Sequence, residues 1–508
     1  MSALARLRDD LDVPTGFPAD VVATAGAERD RFADERIDAR ELPLVAVDPI
    51  GARDLDQAFH LERDGSGWVL HYAIADVGAM VRPGDPVDVE SWRRGMTLYL
   101  PDGTAPVHPP VLSEGSASLL PGQDRPAVLW RIRFDQRGER TSTEVRRAIV
   151  AVRAATSYEV VDGLVDGPLA ATRALAHELA PDVPRGIDLQ EPRADVLARA
   201  RRAGVDLAAL ARALKELGTL LLEREEGRGG VGLQLPEQDV VVGRSGTVRL
   251  VSLPALAVED WNAQLSLSTG MAAAEMMLEV GVGLLRTLPA ADDDVLSDLR
   301  KRSESLGHPW PASGGYPAWV RSLDPTTPVG MALSSVAGQG LRGAGYTSFD
   351  GDAPSGPGAV HAAVAAPYAH VTAPLRRLGD RYAAEIALSA CAGRPVPGWV
   401  RDRLEELPKV LEAAGRRSGA VDRAVVDLLE AAVLAPRVGE ELLATVLGRR
   451  NDHLRVQLLD PPVVADAELA DVELAGGDER QLPDEGAPVT VRLVEADPMT
   501  RTSRFQLV

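Results

Sequence analysis

The stretch from Leu42 to Phe59 reads LPLVAVDPIGARDLDQAF. Its first half, Leu44 to Val47, is apolar and closes at Asp48-Pro49, the pattern of a short buried strand ended by a turn. Two more aspartates follow, Asp54 and Asp56, and Gln57 stands where a fourth carboxylate would complete the run. Positions 54 and 56 are two apart, so in extended chain they face one side. Three carboxylates just past a buried strand repel one another unless positive charge lies between them. Oxygen-only donors favour Mg2+ or Mn2+ over zinc, and such ions hold the in-line displacements of phosphoryl transfer. The plain alternative is a set of turn and cap aspartates, common before Gly and Pro. Spacing alone leaves both readings open.

Outward from this run the chain reads as strands. Ala58 to Arg63 and Trp68 to Ala75 flank Asp64-Gly65-Ser66-Gly67, a strong hairpin signal. Val128 to Phe134 and Ser142 to Val150 flank a second turn at Asp135 to Gly138, and Leu100 to Gly122 between them reads as a long loop. Residues 1–41 are expected to be a mostly helical extension. Helices are expected over Ala194 to Glu226, Asp260 to Leu288, Pro374 to Ala392 and Val400 to Leu434, with a strand pair near Val231 to Val251. Gly338 to Gly358 reads as a glycine-rich loop. Its G-x-G-x-x-G at Gly338 to Gly343 lacks the strand and βαβ unit that a dinucleotide site needs. From Pro436 the chain alternates in short β-like runs, which suggests a small barrel of the oligonucleotide-binding type. The expected domains are therefore 1–41, 42–435 and 436–508.

Composition sets bounds on function. A chain of 508 residues is long enough for several domains and a large core. The single Cys391 excludes a disulfide within the chain and fits a reducing compartment. The most apolar helical candidate, Met271 to Leu288, carries Glu275 and Glu279 and does not read as a membrane span. No signal peptide is legible, so a cytoplasmic protein without a membrane partner is expected. The net charge of −20 argues against a generic nucleic-acid coat. It leaves room for an enzyme with a local basic channel. The basic residues are almost all Arg, which contacts phosphate bidentately as Lys cannot.

A second run, YAHVTAPLRRLGD from Tyr368 to Asp380, sets Arg376 and Arg377 at the opening of a helix behind Pro374. Paired arginines at a helix start suit a phosphate. Together the two runs resemble the RNB catalytic domain of the ribonuclease II family. DPIGARDLDQA is similar to that family's D-P-x-x-A-x-D-x-D-D-A signature, and HYAIADVGAMV (His71 to Val81) to its "HIADV" segment. The stretch Thr97 to Ala127, GRGGVGLQLPE from Gly227 to Glu237, and the arginine run itself resemble three further family segments in the same order. The C-terminal strands resemble the S1-type barrel that usually follows, whereas no counterpart of the cold-shock-like barrels that often precede it is legible.

The resemblance implies an α+β fold, a mixed sheet surrounded by helices with a C-terminal S1-like barrel. It implies a Mg2+-dependent (or Mn2+-dependent) 3′-to-5′ exoribonuclease that hydrolyses single-stranded RNA to 5′-nucleoside monophosphates by metal-activated water, and a monomer. It implies Asp48, Asp54 and Asp56 as catalytic metal ligands with Gln57 beside them, and Arg376 near the scissile phosphate. It puts Tyr99, Arg377 and Asp422 among the RNA contacts. The chain departs from the pattern at Gln57. A neutral amide oxygen can ligate a cation but cannot supply the charge or act as a base, which implies a weaker second metal site. A degenerate member that binds RNA without cutting it is the alternative. The C-terminal segment departs as well. From Pro436 it holds fourteen acidic residues against eight arginines, a net of −6, and Phe505 is its one aromatic residue. Single-strand-binding barrels offer aromatic platforms and a basic groove, so a weak RNA grip is expected there, with Arg449, Arg450, Arg455 and His453 as the only patch. His71, His370, Asp76 and Asp380 are expected to be structural.

Overall fold

The computed structural model describes every residue except Met1, Glu28, Ile50, 166–192, 233–236, 243–247, 254–255, 325–326, 451–452 and 470–482. Among the described residues of the first third of the chain nine strands lie between short helices: β1 (Ile37–Asp38), β2 (Val45–Asp48), β3 (Gln57–Asp64), β4 (Gly67–Ala75), β5 (Leu98–Leu100), β6 (Gly103–Ala105), β7 (Asp124–Phe134), β8 (Arg140–Ala151) and β9 (Ala154–Ser157). Seven of them form one sheet in the order β1-β8-β7-β4-β3-β2-β9. The two outer pairs, β1 on β8 and β9 on β2, are parallel, and the rest are antiparallel. The hairpin expected at Asp64 to Gly67 is present, with Asp64 opposite Gly67 and Gly65 at φ +60°. That left-handed turn is cheap only for glycine.

Side chains alternate by size across this sheet. Val45, Val47, Phe59, Leu61, Leu70, Tyr72, Ile74, Val128, Trp130 and Ile132 point to one face, under the helices Leu207–Gly227, Ala257–Val280 and Leu378–Cys391. Leu44, Ala46, Ala58, Ala73, Ala75, Ala127 and Leu129 point to the other, where the Ala19–Ala27 helix and Leu112 close in. The period of two fixes which residue faces which layer. Small residues on the second face allow close approach. β4 is buried at every position because both of its faces are covered. The N-terminal segment is part of this packing: β1 extends the sheet, and Val21 and Ala25 lie in the second core layer.

Three expectations give way. Leu100 to Gly122 is not one loop but carries the β5–β6 hairpin and a short helical turn, Leu112–Ser116. The helix from Asp260 stops at Val280, capped by Gly281 in the left-handed region, and Val282–Thr287 is a strand paired with Gly345–Asp350. The second of these strands lies within the stretch read as a glycine-rich loop. Runs such as VGVGLL suit helix and strand equally by hydrophobicity, and the glycine cap decides between them. The helix expected from Pro374 begins at Leu378, with Arg377 at its cap. Proline fixes a turn over 374–376 instead.

The C-terminal strands Glu441–Arg450, His453–Leu458, Val464–Glu468, Pro488–Asp497 and Thr502–Leu507 close into a five-stranded barrel. Val446, Leu454, Val456, Val491, Leu493 and Phe505 fill it. Among the described residues no helix is long and apolar enough to cross a membrane.

Gly270 sets one close approach that the site depends on. A Cβ there would stand 2.2 Å from the Tyr368 ring and 2.6 Å from the Ala369 carbonyl oxygen, and the Ala369 N–H donates to the Gly270 carbonyl at 3.1 Å. Gly270→Val should therefore cost about 1–3 kcal/mol by overpacking, read as a lower urea midpoint at unchanged slope. An unchanged midpoint would mean that this contact has slack.

Candidate active site

The Asp54–Asp56 loop is stapled from behind. The Ser118 hydroxyl donates to the Arg53 carbonyl at 2.7 Å and accepts the Leu55 N–H at 3.0 Å. The Leu119 N–H donates to the Leu55 carbonyl, and the Ala75 N–H to the Asp56 carbonyl. These bonds fix the backbone that carries the carboxylates. Asp48 stands at the end of β2, on the same rim.

The arginine loop is held as firmly. The Arg376 and Arg377 N–H groups both donate to the Ala373 carbonyl, the Thr97 N–H donates to the Arg376 carbonyl, and the Leu378 N–H to that of Gly95. The buried Asp380 accepts the Ala373 N–H at 2.7 Å and pairs with Arg377 at 2.8 Å. Asp56 joins the two loops. One of its oxygens accepts the Leu375 N–H at 2.7 Å, and the other lies 3.6 Å from Nε of Arg376. Asp56 is 4% exposed, whereas the Arg376 side chain is 46% exposed. One end of this pair is therefore sealed and the other is open to a ligand.

The two loops face a cavity of about 790 Å³. Asp48, Asp54, Asp56, Gln57, Arg376 and Arg377 line it, together with Tyr99 on β5. Tyr99 is 46% exposed. Seven of the eight expected site residues thus meet. The eighth, Asp422, does not. It is exposed on the Leu407–Leu434 helix, whose neighbouring Val421 packs against Leu98 and Leu100. That packing sets the helix phase and turns Asp422 to solvent. The GRGGVGLQLPE run falls partly outside the described residues. The cavity also gathers residues that sequence reasoning missed: Tyr158, Asn262, Ser266 and Tyr368. Composition held a signal for two of these. The chain has only seven tyrosines, and three of them, Tyr99, Tyr158 and Tyr368, line this one cavity.

Negative charge dominates. Burial, with Asp54 adding to it and Arg376 opposing, pushes the Asp48 carboxyl up to about 7. Burial also raises Asp54, and raises Asp56 well above the usual carboxylate range against the pull of Arg376 and the Leu375 N–H. Burial alone would weaken the Arg376 charge, but Asp56, Tyr99 and Asp380 together outweigh it and the guanidinium stays protonated. The residues expected to be structural each have a side-chain partner. Asp76 pairs with Arg36 and Arg147, His71 bonds Glu62 at 2.9 Å, and His370 bonds the Tyr346 hydroxyl at 3.0 Å.

A divalent cation fits part of this donor set. Oδ2 of Asp48 is buried and makes no hydrogen bond to any described residue. With Asp54 it offers hard oxygens of the kind that bind Mg2+ through one or two carboxylates, waters and substrate phosphates. Asp56 is drawn instead to Leu375 and Arg376. The Gln57 amide is engaged at both ends, donating to the Thr372 carbonyl and accepting from Tyr72 and Ser266. Among the described residues no three acidic, histidine or cysteine side chains stand close enough to share one ion.

Asp48 gives the metal-free protein a pH dependence. Its folded value lies above its unfolded one, so between about pH 4 and pH 7 the folded state binds more protons and stability falls as pH rises. Metal-free wild type should therefore lose more of its Tm than Asp48→Asn between pH 5 and pH 8, by about 2 °C or more. Parallel curves would show that Asp48 is not desolvated.

The family profile described as the RNB domain matches residues 36–390. That of the RNase II-type exonuclease C-terminal S1 domain matches residues 440–508. Ribonuclease R of Aquifex aeolicus (strain VF5) is 23% identical over 450 residues, 86% of this chain and 59% of its own length. Ribonuclease R of Escherichia coli (strain K12) is 34% identical over 161 residues, 31% of this chain and 20% of its own. The chain therefore spans at most 59% of the length of these two curated relatives. In fold it is similar to the apo form of Mycoplasma genitalium RNase R, with a TM-score of 0.78 at 17% identity, covering 99% of this chain and 77% of that one.

Proposed function

The chain belongs to the RNB-domain family, and on that premise we propose that it is a 3′-to-5′ exoribonuclease that hydrolyses single-stranded RNA to 5′-nucleoside monophosphates with Mg2+ or Mn2+. The observation that carries this reading is the meeting of Asp48, Asp54 and Asp56 with Arg376 and the exposed Tyr99 ring around one cavity. The direction of cutting rests on the family; the hydrolytic chemistry rests on these side chains.

A divalent cation held by Asp48 and Asp54 would activate a water and offset phosphate charge. The half-exposed Arg376 guanidinium is positioned to donate to the phosphate oxygens as charge builds on them. Asp56 keeps that guanidinium oriented while leaving its outer face to the substrate. The Tyr99 ring offers a stacking surface for a base near the 3′ end, of the kind worth about 1–3 kcal/mol per base. Arg377 lines the cavity with its charge already shared with Asp380. Its contribution is to the shape of the loop more than to phosphate binding.

The barrel supports a minor part in gripping RNA. Its Arg455, Arg492, Arg501 and Arg504 lie against Asp466, Glu441, Asp10 and Glu495, and Phe505 is wholly buried. Short oligoribonucleotides held mainly by the cavity are the substrates this charge pattern favours. A second reading, RNA binding without cleavage, is favoured by one observation: the tied amide of Gln57 where the family carries a carboxylate.

On 5′-labelled single-stranded RNA of about 30 nucleotides, wild type with Mg2+ or Mn2+ should shorten the strand progressively from its 3′ end. Arg376→Ala should lower kcat about 10²–10³-fold, and Asp48→Asn should abolish shortening. RNA left intact by wild type with either metal, but shifted in a binding gel, would establish the second reading.

A further inference from the structure

We propose that Gln57 is a positioning residue that fastens the Arg376 loop to the sheet, and that it is not a cation ligand. The inference deepens the hydrolase reading and rests on it for the kinetic part of its test.

The amide has a fixed orientation. Its Nε2 lies 2.7 Å from the Thr372 carbonyl oxygen, which can only accept, so the NH2 group must face it. Oε1 is thereby turned the other way, where it accepts from the Tyr72 hydroxyl and lies 3.4 Å from that of Ser266. These two hydroxyls are themselves 2.8 Å apart. Gln57 thus ties three elements together: β4 through Tyr72, the Ala257–Val280 helix through Ser266, and the arginine loop through Thr372. A cation on Oε1 would compete for the lone pairs that these hydroxyls already use.

The neighbouring residue completes the grip. Asp56 takes the Leu375 N–H and Gln57 gives to the Thr372 carbonyl, so two consecutive side chains hold the loop at two points just before Arg376. Only an amide can do this at position 57. A carboxylate there would set an acceptor against the Thr372 carbonyl and lose the donor. Gln57 in place of the fourth aspartate therefore reads as a change of role from cation ligand to crossbeam. The cation is left to Asp48 and Asp54.

The test uses the full chain with Gln57→Glu, and with Tyr72→Phe as a second variant that leaves the amide intact. Three quantities are read: the Kd for Mn2+ without RNA, by electron paramagnetic resonance of free Mn2+; amide hydrogen exchange over residues 372–377; and kcat and KM on a short 5′-labelled oligoribonucleotide. Both variants should keep the Mn2+ Kd within about twofold of wild type. Both should speed exchange over 372–377 and lower kcat about tenfold with KM changed less than twofold. The double variant should lose little more than Gln57→Glu alone. A Mn2+ Kd at least fivefold tighter in Gln57→Glu, with kcat maintained or raised, would overturn the proposal and make position 57 a ligand. So would unchanged exchange over 372–377 in either variant. If wild type cuts no RNA, the hydrolase reading fails, while the Mn2+ and exchange measurements still decide the role of Gln57.

Discussion

The buried carboxylate of Asp56 is the joint on which the site depends. It lies just before β3 and reaches across 319 residues of sequence to the Leu375 N–H. That contact holds the arginine loop in register with the aspartate loop. Its second oxygen is what gives Arg376 a fixed direction while the outer face of the guanidinium stays open. Without Asp56, the Leu375 N–H would be left unpaired in the interior, at a cost of about 1–3 kcal/mol, and Arg376 would be free to swing into solvent. Everything behind the joint serves rigidity. Ser118 staples one loop, Asp380 braces the other, and Gly270 lets the Tyr368 segment pack down on its helix.

The price of this arrangement is charge. Three carboxylates are partly or wholly withdrawn from water at one rim, and burial raises all three. Arg376 offsets only part of the repulsion, and its best partner is the most buried of the three. Asp48 and Asp54 are left with oxygens that a cation and a phosphate-bound water shell suit well. Raised in this way, the carboxyls retain protons in the metal-free protein, and on the proposed reading a cation would take the place of those protons. The overall charge of −20 makes the contrast sharper. Four barrel arginines, Arg455, Arg492, Arg501 and Arg504, already lie beside carboxylates, whereas the Arg376 side chain is half exposed at the cavity.

Much of this was legible in the sequence because it is local. The runs that became β3 and β4, the Asp64 to Gly67 turn between them and the alternating C-terminal runs each report their own geometry, and each formed as expected. The meeting of Asp48, Asp54 and Asp56 at one cavity was legible from three carboxylates clustering after an apolar strand. What could not be read depends on long-range registry. Tyr72, Ser266 and Thr372 lie 15, 209 and 315 residues from Gln57, and no periodicity announces their meeting. Asp422 lies outside the cavity because its surroundings are set by helix phase, which follows from how Val421 packs and not from the residue's own chemistry. The strand Val282–Thr287 was hidden in an apolar run that only the left-handed Gly281 divides.

The most direct measurement of the central claim is a crystal structure of the protein soaked with Mn2+, with an anomalous map recorded at the manganese edge. The account requires a peak bound by Asp48 and Asp54, with Arg376 still beside Asp56 and the Gln57 amide still on Thr372. A peak on the Gln57 oxygen, or no peak near Asp48 at millimolar Mn2+, would contradict it.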